Sequence, residues 1–313
     1  MKMKKLILFF GLLLFPVLFP AQEFTLRLWE GDAPLAKGTA EHDIPTLSVF
    51  MPRPVQAAVP PEWWPANDRT ALLVVPGGGY GYMMDSSERG EVADFFRRHG
   101  IVVFVLKYRL GLDKFGAYRH PAMLYDVSRA LRHIRSNAQK YGVNPRKIGV
   151  YGNSAGGHLA ATLLTQFDGG DPESADPVER VSSRPDFGIL CCPVISMRDG
   201  LTHAASRKFL LGDAPSAELQ ALLSADEQVK ANTPPCFIWH PFGDKSVPYQ
   251  GSLAFAKALT RKKIPCELHI FERGGHGAGI WIRSRVSSNT ANSGELLINW
   301  LIQNRFFELK SKN

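Results

Sequence analysis

Short continuous apolar runs alternate along this chain with segments whose apolar residues recur at helical spacing. Ala71-Leu72-Leu73-Val74-Val75 reads as an all-apolar strand, stopped by Pro76-Gly77-Gly78-Gly79. Ile101 to Leu106, Lys147 to Tyr151, Phe187 to Val194, Cys236 to His240 and Cys266 to Phe271 predict further strands. Between and after them, Glu88 to His99, Pro121 to Tyr141, Ala155 to Gln166, Gln250 to Arg261 and Gly294 to Asn304 predict helices. The second of these places Met123, Leu124, Val127, Ala130, Leu131 and Ile134 on one side, and Pro121 suits a first helical turn. Continuous apolar strands alternating with helices imply an α/β fold, with a mostly parallel sheet covered by helices on both faces. Ligands of such sheets bind beyond the carboxyl ends of the strands.

Three stretches break the rhythm. Residues 22–65 form a lead-in: Thr46 to Met51 alternates polar and apolar like a half-exposed strand, and the proline-rich Pro52 to Pro65 reads as an extended loop. Residues 168–185 are acidic and glycine-rich, and residues 196–234 carry Phe209-Leu210-Leu211 and Leu219 to Leu223, which predict short helices. Both are expected to be cap-like excursions over the strand ends of one catalytic domain, residues 66–313. A length of 313 residues suits a single large α/β unit.

The first residues change the picture of location. Lys2, Lys4 and Lys5 precede a run from Leu6 to Phe19 that is apolar but for Pro16. This is the pattern of a secretory signal, with cleavage expected after Ala21, and it is short for a membrane span of about 20 residues. The chain is therefore expected to be secreted or periplasmic, without stable membrane insertion after cleavage. Three of the charges in the net +8 belong to this segment. The remaining cations are scattered and not interleaved with aromatics, which argues against nucleic acid as a partner. Cys191, Cys192, Cys236 and Cys266 all sit in or beside apolar runs. Packing is their expected role, with one disulfide permitted by export. No C-x-x-C pair suggests a zinc site.

Gly152-Asn153-Ser154-Ala155-Gly156 matches G-x-S-x-G. The pentapeptide alone is weak, but here it joins an apolar strand to an apolar helix, the context in which a sharp turn exposes a serine. A neutral serine hydroxyl needs a base, and the base needs an orienting carboxylate. Asp244 follows the strand ending at His240, and His276 follows the strand ending at Phe271. Ser154, Asp244 and His276 thus fall in the order Ser, Asp, His at one edge of the sheet. Asp186 and Asp199 are rival acids, the first at the wrong end of its strand. Among other histidines, His158 is expected to pack or hydrogen-bond behind the turn, His240 to stand beside Asp244, and His120 to line the pocket or cap a helix. His203 has no site context. An oxyanion needs backbone N–H donors: Ala155 supplies one, and the glycines after the Ala71–Val75 strand supply others. A phosphate-cradling loop is excluded there, because no Gly-Lys-Ser/Thr follows.

These three elements in order resemble the α/β-hydrolase serine esterases. Pro76-Gly-Gly-Gly-Tyr80, Val105-Leu-Lys-Tyr-Arg109, Tyr118-Arg-His-Pro121, Ser154-Ala-Gly-Gly-His158 and Val181-Ser-Ser-Arg-Pro-Asp186 further resemble secreted bacterial carbohydrate esterases of the acetylxylan esterase type. The resemblance implies Ser154 as nucleophile, His276 as base, Asp244 as its orienter, and Gly78, Gly79 and Ala155 as oxyanion hole. It implies no metal and no organic cofactor. Pro76 departs from the His that many lipase-like esterases carry before the glycines. The substrate expected is an acylated carbohydrate such as xylan, or another small ester, with Tyr80 and Trp281 as sugar-binding aromatics and Tyr82, Tyr118 and Trp239 as further candidates. A prolyl-oligopeptidase-like peptidase shares the fold and the order. It usually carries an added propeller, and the roughly 65 residues before the core are too few when one blade takes about 40–45. A non-catalytic binding protein on this scaffold is the third reading.

Overall fold

A computed structural model describes residues 23–54, 57–58, 64–65, 67–84, 88–277 and 293–308. The expected signal segment and Trp281 lie outside these residues. Among these residues eight strands form one sheet: β1 (Glu23–Arg27), β2 (Thr46–Phe50), β3 (Arg69–Val75), β4 (Val102–Lys107), β5 (Val143–Asn153), β6 (Phe187–Cys191), β7 (Cys236–Pro241) and β8 (Cys266–Phe271). Their order is β1-β2-β4-β3-β5-β6-β7-β8. Only β1 and β2 run antiparallel to their neighbours, and every pairing from β4 to β8 is parallel. β1 was not evident in the sequence, because its hydrophobic alternation spans only Phe24 to Leu26. Among the described residues no helix is long and apolar enough to cross a membrane.

The continuous apolar runs are explained by the two cores they separate. Successive strand side chains point to opposite faces. Ala71, Leu73 and Val75 enter a cluster with Val127, Leu131, Leu163 and Phe255, whereas Leu72 and Val74 enter another with Phe96, Leu297 and Trp300. Helices α2 (Ala122–Ser136), α4 (Ser154–Gln166) and α7 (Gln250–Arg261) therefore cover one face. Helices α1 (Ala93–Arg97) and α8 (Ser293–Gln303) cover the other. A four-residue helix, α3 (Ala138–Tyr141), leads into β5. Within 196–234 the expected short helices are α5 (Ala204–Leu211) and α6 (Ala217–Leu222). Cys191, Cys192 and Cys236 are buried and Cys266 is partly so, as their expected packing role requires.

Two buried polar clusters sit inside this packing. Arg109, just past β4, and Asp126 on α2 have fully buried side chains. Their fork closes at 2.7 Å for Nη2 to Oδ1 and 3.0 Å for Nε to Oδ2. The Arg109 backbone N–H donates to Asp126 Oδ2 as well, and Nη1 donates to Pro34 O at 2.6 Å. One ion pair thus ties the lead-in, the loop after β4 and α2 together. Burial pushes the Asp126 carboxyl up while Arg109 opposes it. On α4, His158 is fully buried. Its Nδ1 accepts from Tyr80 Oη at 2.7 Å and its Nε2–H donates to Leu223 O at 2.7 Å, so the neutral ring is fully used. Burial pulls its pKa down to about 4.

Removing one partner of a buried pair strands the other charge, at a cost of about 3–5 kcal/mol. Asp126→Ala is accordingly expected to lower the urea unfolding free energy by that much, and a loss under 1 kcal/mol would refute the tie. His158 supplies a pH dependence whose sign is fixed. Its folded pKa lies below the unfolded value of about 6.5, so the unfolded chain binds the extra proton and stability falls as pH drops from 6.5 toward 4. Between pH 7 and pH 5 this contributes a loss of about 2 kcal/mol, read as a lower denaturation midpoint, and a flat midpoint would contradict it.

Candidate active site

Ser154 stands where β5 ends and α4 begins, with φ +56°, in the left-handed region that a side chain rarely adopts. The turn is held by close packing. A Cβ on Gly156 would lie 2.1 Å from Val75 O, so only glycine lets α4 settle against the end of β3. The strain at Ser154 is thereby imposed by neighbours that cannot move away. Its hydroxyl lies 2.8 Å from His276 Nε2. His276 Nδ1 lies 2.7 Å from Asp244 Oδ2. A carboxylate only accepts, so Nδ1 carries the proton and Nε2 is free to accept from the serine. The three residues singled out in the sequence therefore converge into one hydrogen-bonded chain.

Asp244 is held on every side. Its side chain is buried, and Oδ1 accepts from the N–H groups of Ser246 at 2.8 Å and Val247 at 3.0 Å. Oδ2 faces a second imidazole, His240 Nε2, at 3.2 Å. His240 Nε2 also faces Val247 O at 3.1 Å, so it carries a proton shared between two acceptors, while Nδ1 accepts from Ser252 Oγ at 2.9 Å. Burial pushes the Asp244 carboxyl up, but the bonds from His240, His276 and Val247 outweigh it and hold it well below the usual carboxylate range. The rival acids are elsewhere. Asp186 Oδ2 accepts from Ile148 N and pairs with Arg135, and Asp199 pairs with Arg207 at 2.7 Å.

The glycine loop lies against this chain. A Cβ on Gly77 would come 3.3 Å from Ser154 Cβ. Gly78 has φ +121°, and a Cβ there would collide with Tyr82 O at 2.2 Å. Gly78 O accepts from the N–H of Gly81 and Tyr82, which folds the loop back on itself. Ala155 lies in the first turn of α4, where backbone N–H groups have no helical acceptor. Gly77 thus touches Ser154, Ala155 follows it on α4, and Gly78 and Gly79 continue the loop from Gly77.

Tyr80 corrects the sugar-binding expectation. It is fully buried, its hydroxyl is engaged with His158, and its ring meets Tyr108 edge-on at 6.0 Å. It anchors the loop from beneath and offers no face to a ligand. Tyr118 and Trp239 are buried in the same way, and Tyr82 remains exposed. His203 is the residue that sequence reasoning passed over. Its Cε1 lies 3.6 Å from where a Gly79 Cβ would stand, and its Nδ1 accepts from Ser206 Oγ at 2.9 Å. Burial, then the neighbouring His276, lower its pKa. It reaches the site because α5 packs Phe209 onto Gly81, a contact that no local pattern in 196–234 encodes.

A family model described as BD-FAE matches residues 64–259. An endo-1,4-beta-xylanase B of Butyrivibrio fibrisolvens is 44% identical over 214 residues, and an acetylxylan esterase of Xylanibacter ruminicola 32% identical over 213. Each alignment covers 67% of this chain but only 32% and 41% of those proteins, so the chain spans roughly a third to two fifths of their length. The solved acetyl ester-xyloside bifunctional hydrolase of Caldicellulosiruptor lactoaceticus superposes with a TM-score of 0.81 at 37% identity, covering 93% of this chain and all of that one. With the glycine loop, the serine turn and the mostly parallel sheet in place, the chain belongs to the BD-FAE family of α/β-hydrolase esterases.

Proposed function

We propose that the protein is a serine carboxylesterase that removes short acyl groups, acetyl foremost, from carbohydrate such as xylan. The observation that carries this reading is the continuous bond chain from Ser154 Oγ through His276 to Asp244. The carbohydrate side is supported by the xylan-directed names of two relatives and the acetyl ester-xyloside name of a structural neighbour. The basic, then apolar start of the chain supports export, which suits a polymer outside the cell.

Ser154 Oγ attacks the acyl carbonyl carbon and passes its proton to His276 Nε2. The oxyanion receives N–H bonds from Ala155 and the Gly78-Gly79 loop, and loss of one such donor typically costs about 2.7–4 kcal/mol. His276 then protonates the departing sugar oxygen as the acyl–oxygen bond breaks, leaving an acyl-serine. Water adds to that ester, gives a proton to His276, and releases the carboxylic acid as Ser154 recovers its hydrogen. Asp244 keeps Nδ1 protonated and steadies the imidazolium, and His240 steadies Asp244. The peptidase and binding-protein readings have no comparable support in the relatives' names.

Ser154→Ala is expected to lower kcat on nitrophenyl acetate and acetylated xylan by about 10⁴-fold or more and to abolish labelling by a fluorophosphonate. Full labelling of that variant would place the nucleophile elsewhere, and an unlabelled wild type would favour a binding protein. His240→Leu is expected to lower kcat about tenfold with little change in KM, because it removes one charge-assisted bond from Asp244 without touching substrate. An unaltered kcat would remove His240 from the mechanism.

A further inference from the structure

Beside Asp244, whose carboxylate meets His276, an open groove of about 460 Å³ runs between Gly200–Thr202 and the segment from Phe242 to Gln250. Phe242 is 60% exposed, which is unusual for a ring so close to a buried functional cluster. Its ring lies 5.1 Å from that of Tyr249, at a tilt of 38°. Its backbone N–H donates to Phe271 O at 2.7 Å, which fixes the end of the β7 loop that carries it. Thr202, Ser246 and Gln250 line the same groove with neutral polar side chains, and Lys245 adds one cation. Asp244 borders it, but its oxygens are committed to His240, His276 and two backbone N–H groups.

We infer that this groove is a pyranose subsite, which holds the sugar unit on the alcohol side of the scissile ester against Phe242 and Tyr249. The inference rests on the carboxylesterase reading above and names the part of the chain that selects its alcohol. A pyranose ring presents a face of C–H bonds and a rim of hydroxyls. The C–H face suits the negative face of an aromatic ring, and the rim suits hydroxyl and amide side chains that can both donate and accept. A long acyl chain would want a closed apolar tunnel, whereas this groove is open and half polar. Lys245 is the single cation of the lining and can donate to sugar hydroxyls, while Asp244, the single carboxylate, is fully engaged, so the groove offers no cluster of charge to a charged peptide. The groove size lies within the range of small-ligand sites.

The test is a ratio, taken with full-length protein: kcat/KM on an acetylated xylo-oligosaccharide divided by kcat/KM on ethyl acetate, both followed by acid release. Ethyl acetate is chosen because a nitrophenyl ring could itself stack on Phe242. Phe242→Ala and Tyr249→Ala are each expected to lower this ratio about tenfold. Phe242→Trp keeps a flat ring and is expected to restore most of it. Tyr125→Ala, which removes an exposed aromatic on α2 away from the site, is expected to leave the ratio as it is. An unaltered ratio in both alanine variants, or an equal fall in Tyr125→Ala, would overturn the subsite alone. Wild-type protein that cleaves ethyl acetate but not the oligosaccharide would overturn the carbohydrate reading and the subsite with it. Wild-type protein inert to both would overturn the esterase itself.

Discussion

Everything at this site depends on a serine held in a conformation it would not choose. Ser154 keeps φ +56° because α4 is pressed onto the ends of β3 and β5, and the glycines at 152 and 156 allow backbone to lie where a methyl group would collide. Such a conformation costs on the order of 1–3 kcal/mol, and it persists only where surrounding packing over-determines it. Here the packing is the sheet itself, with fully buried Val74, Val75, Val150 and Tyr151 beneath the turn. The same compression brings Gly77 against Ser154. The glycine loop is placed by the forces that expose the hydroxyl, so one constraint builds both the serine turn and the loop beside it.

Support for the loop comes from a polar chain that no reagent reaches. Tyr80 reaches down to His158, and His158 reaches on to Leu223, just after α6 in the 196–234 excursion. The pentapeptide and the glycine motif are thus joined through a buried imidazole, and the excursion is pinned to both. This gives His158 a reason to follow the serine by one helical turn. Arg109 and Asp126 play the corresponding part further out, where the loop after β4 meets α2. In both places a buried polar group acts on geometry. It is satisfied on every side, and moving any one neighbour would expose an unpaired donor or acceptor.

The strand-and-helix rhythm was legible because a parallel sheet buried on both faces leaves continuous apolar runs, and Leu72 and Leu73 are both buried for that reason. Ser154, Asp244 and His276 were legible through one further rule, that polar residues just beyond parallel strands share an edge. His203 and Phe242 were not. His203 owes its position to how α5 sits on Gly81, and Phe242 reads in the sequence as one more apolar residue at the end of a strand. Tyr80 misled for the opposite reason. Its neighbours in sequence face the site, but a φ of +61° turns its own side chain into the core. Local pattern reports which edge a residue occupies. It is silent on which way a side chain turns within an irregular loop.

The pairing of two histidines on one carboxylate has a consequence beyond orientation. A single imidazole on Asp244 would leave part of the carboxylate to water, which competes for the same lone pairs and loosens the ring of His276. His240 fills that place from the buried side, while Ser246 and Val247 N–H groups occupy the other oxygen. The negative charge is then solvated by fixed dipoles whose orientation needs no rearrangement when an imidazolium forms next to it. His240 is itself locked by Ser252 on α7 and by Val247 O, so the chain of constraint runs from a covering helix to the serine. A charge arrangement of this kind is tuned by the end of β7 and the start of α7, the two elements that also carry Phe242 and Tyr249. The acid and the aromatic rim are thus set by one short piece of chain.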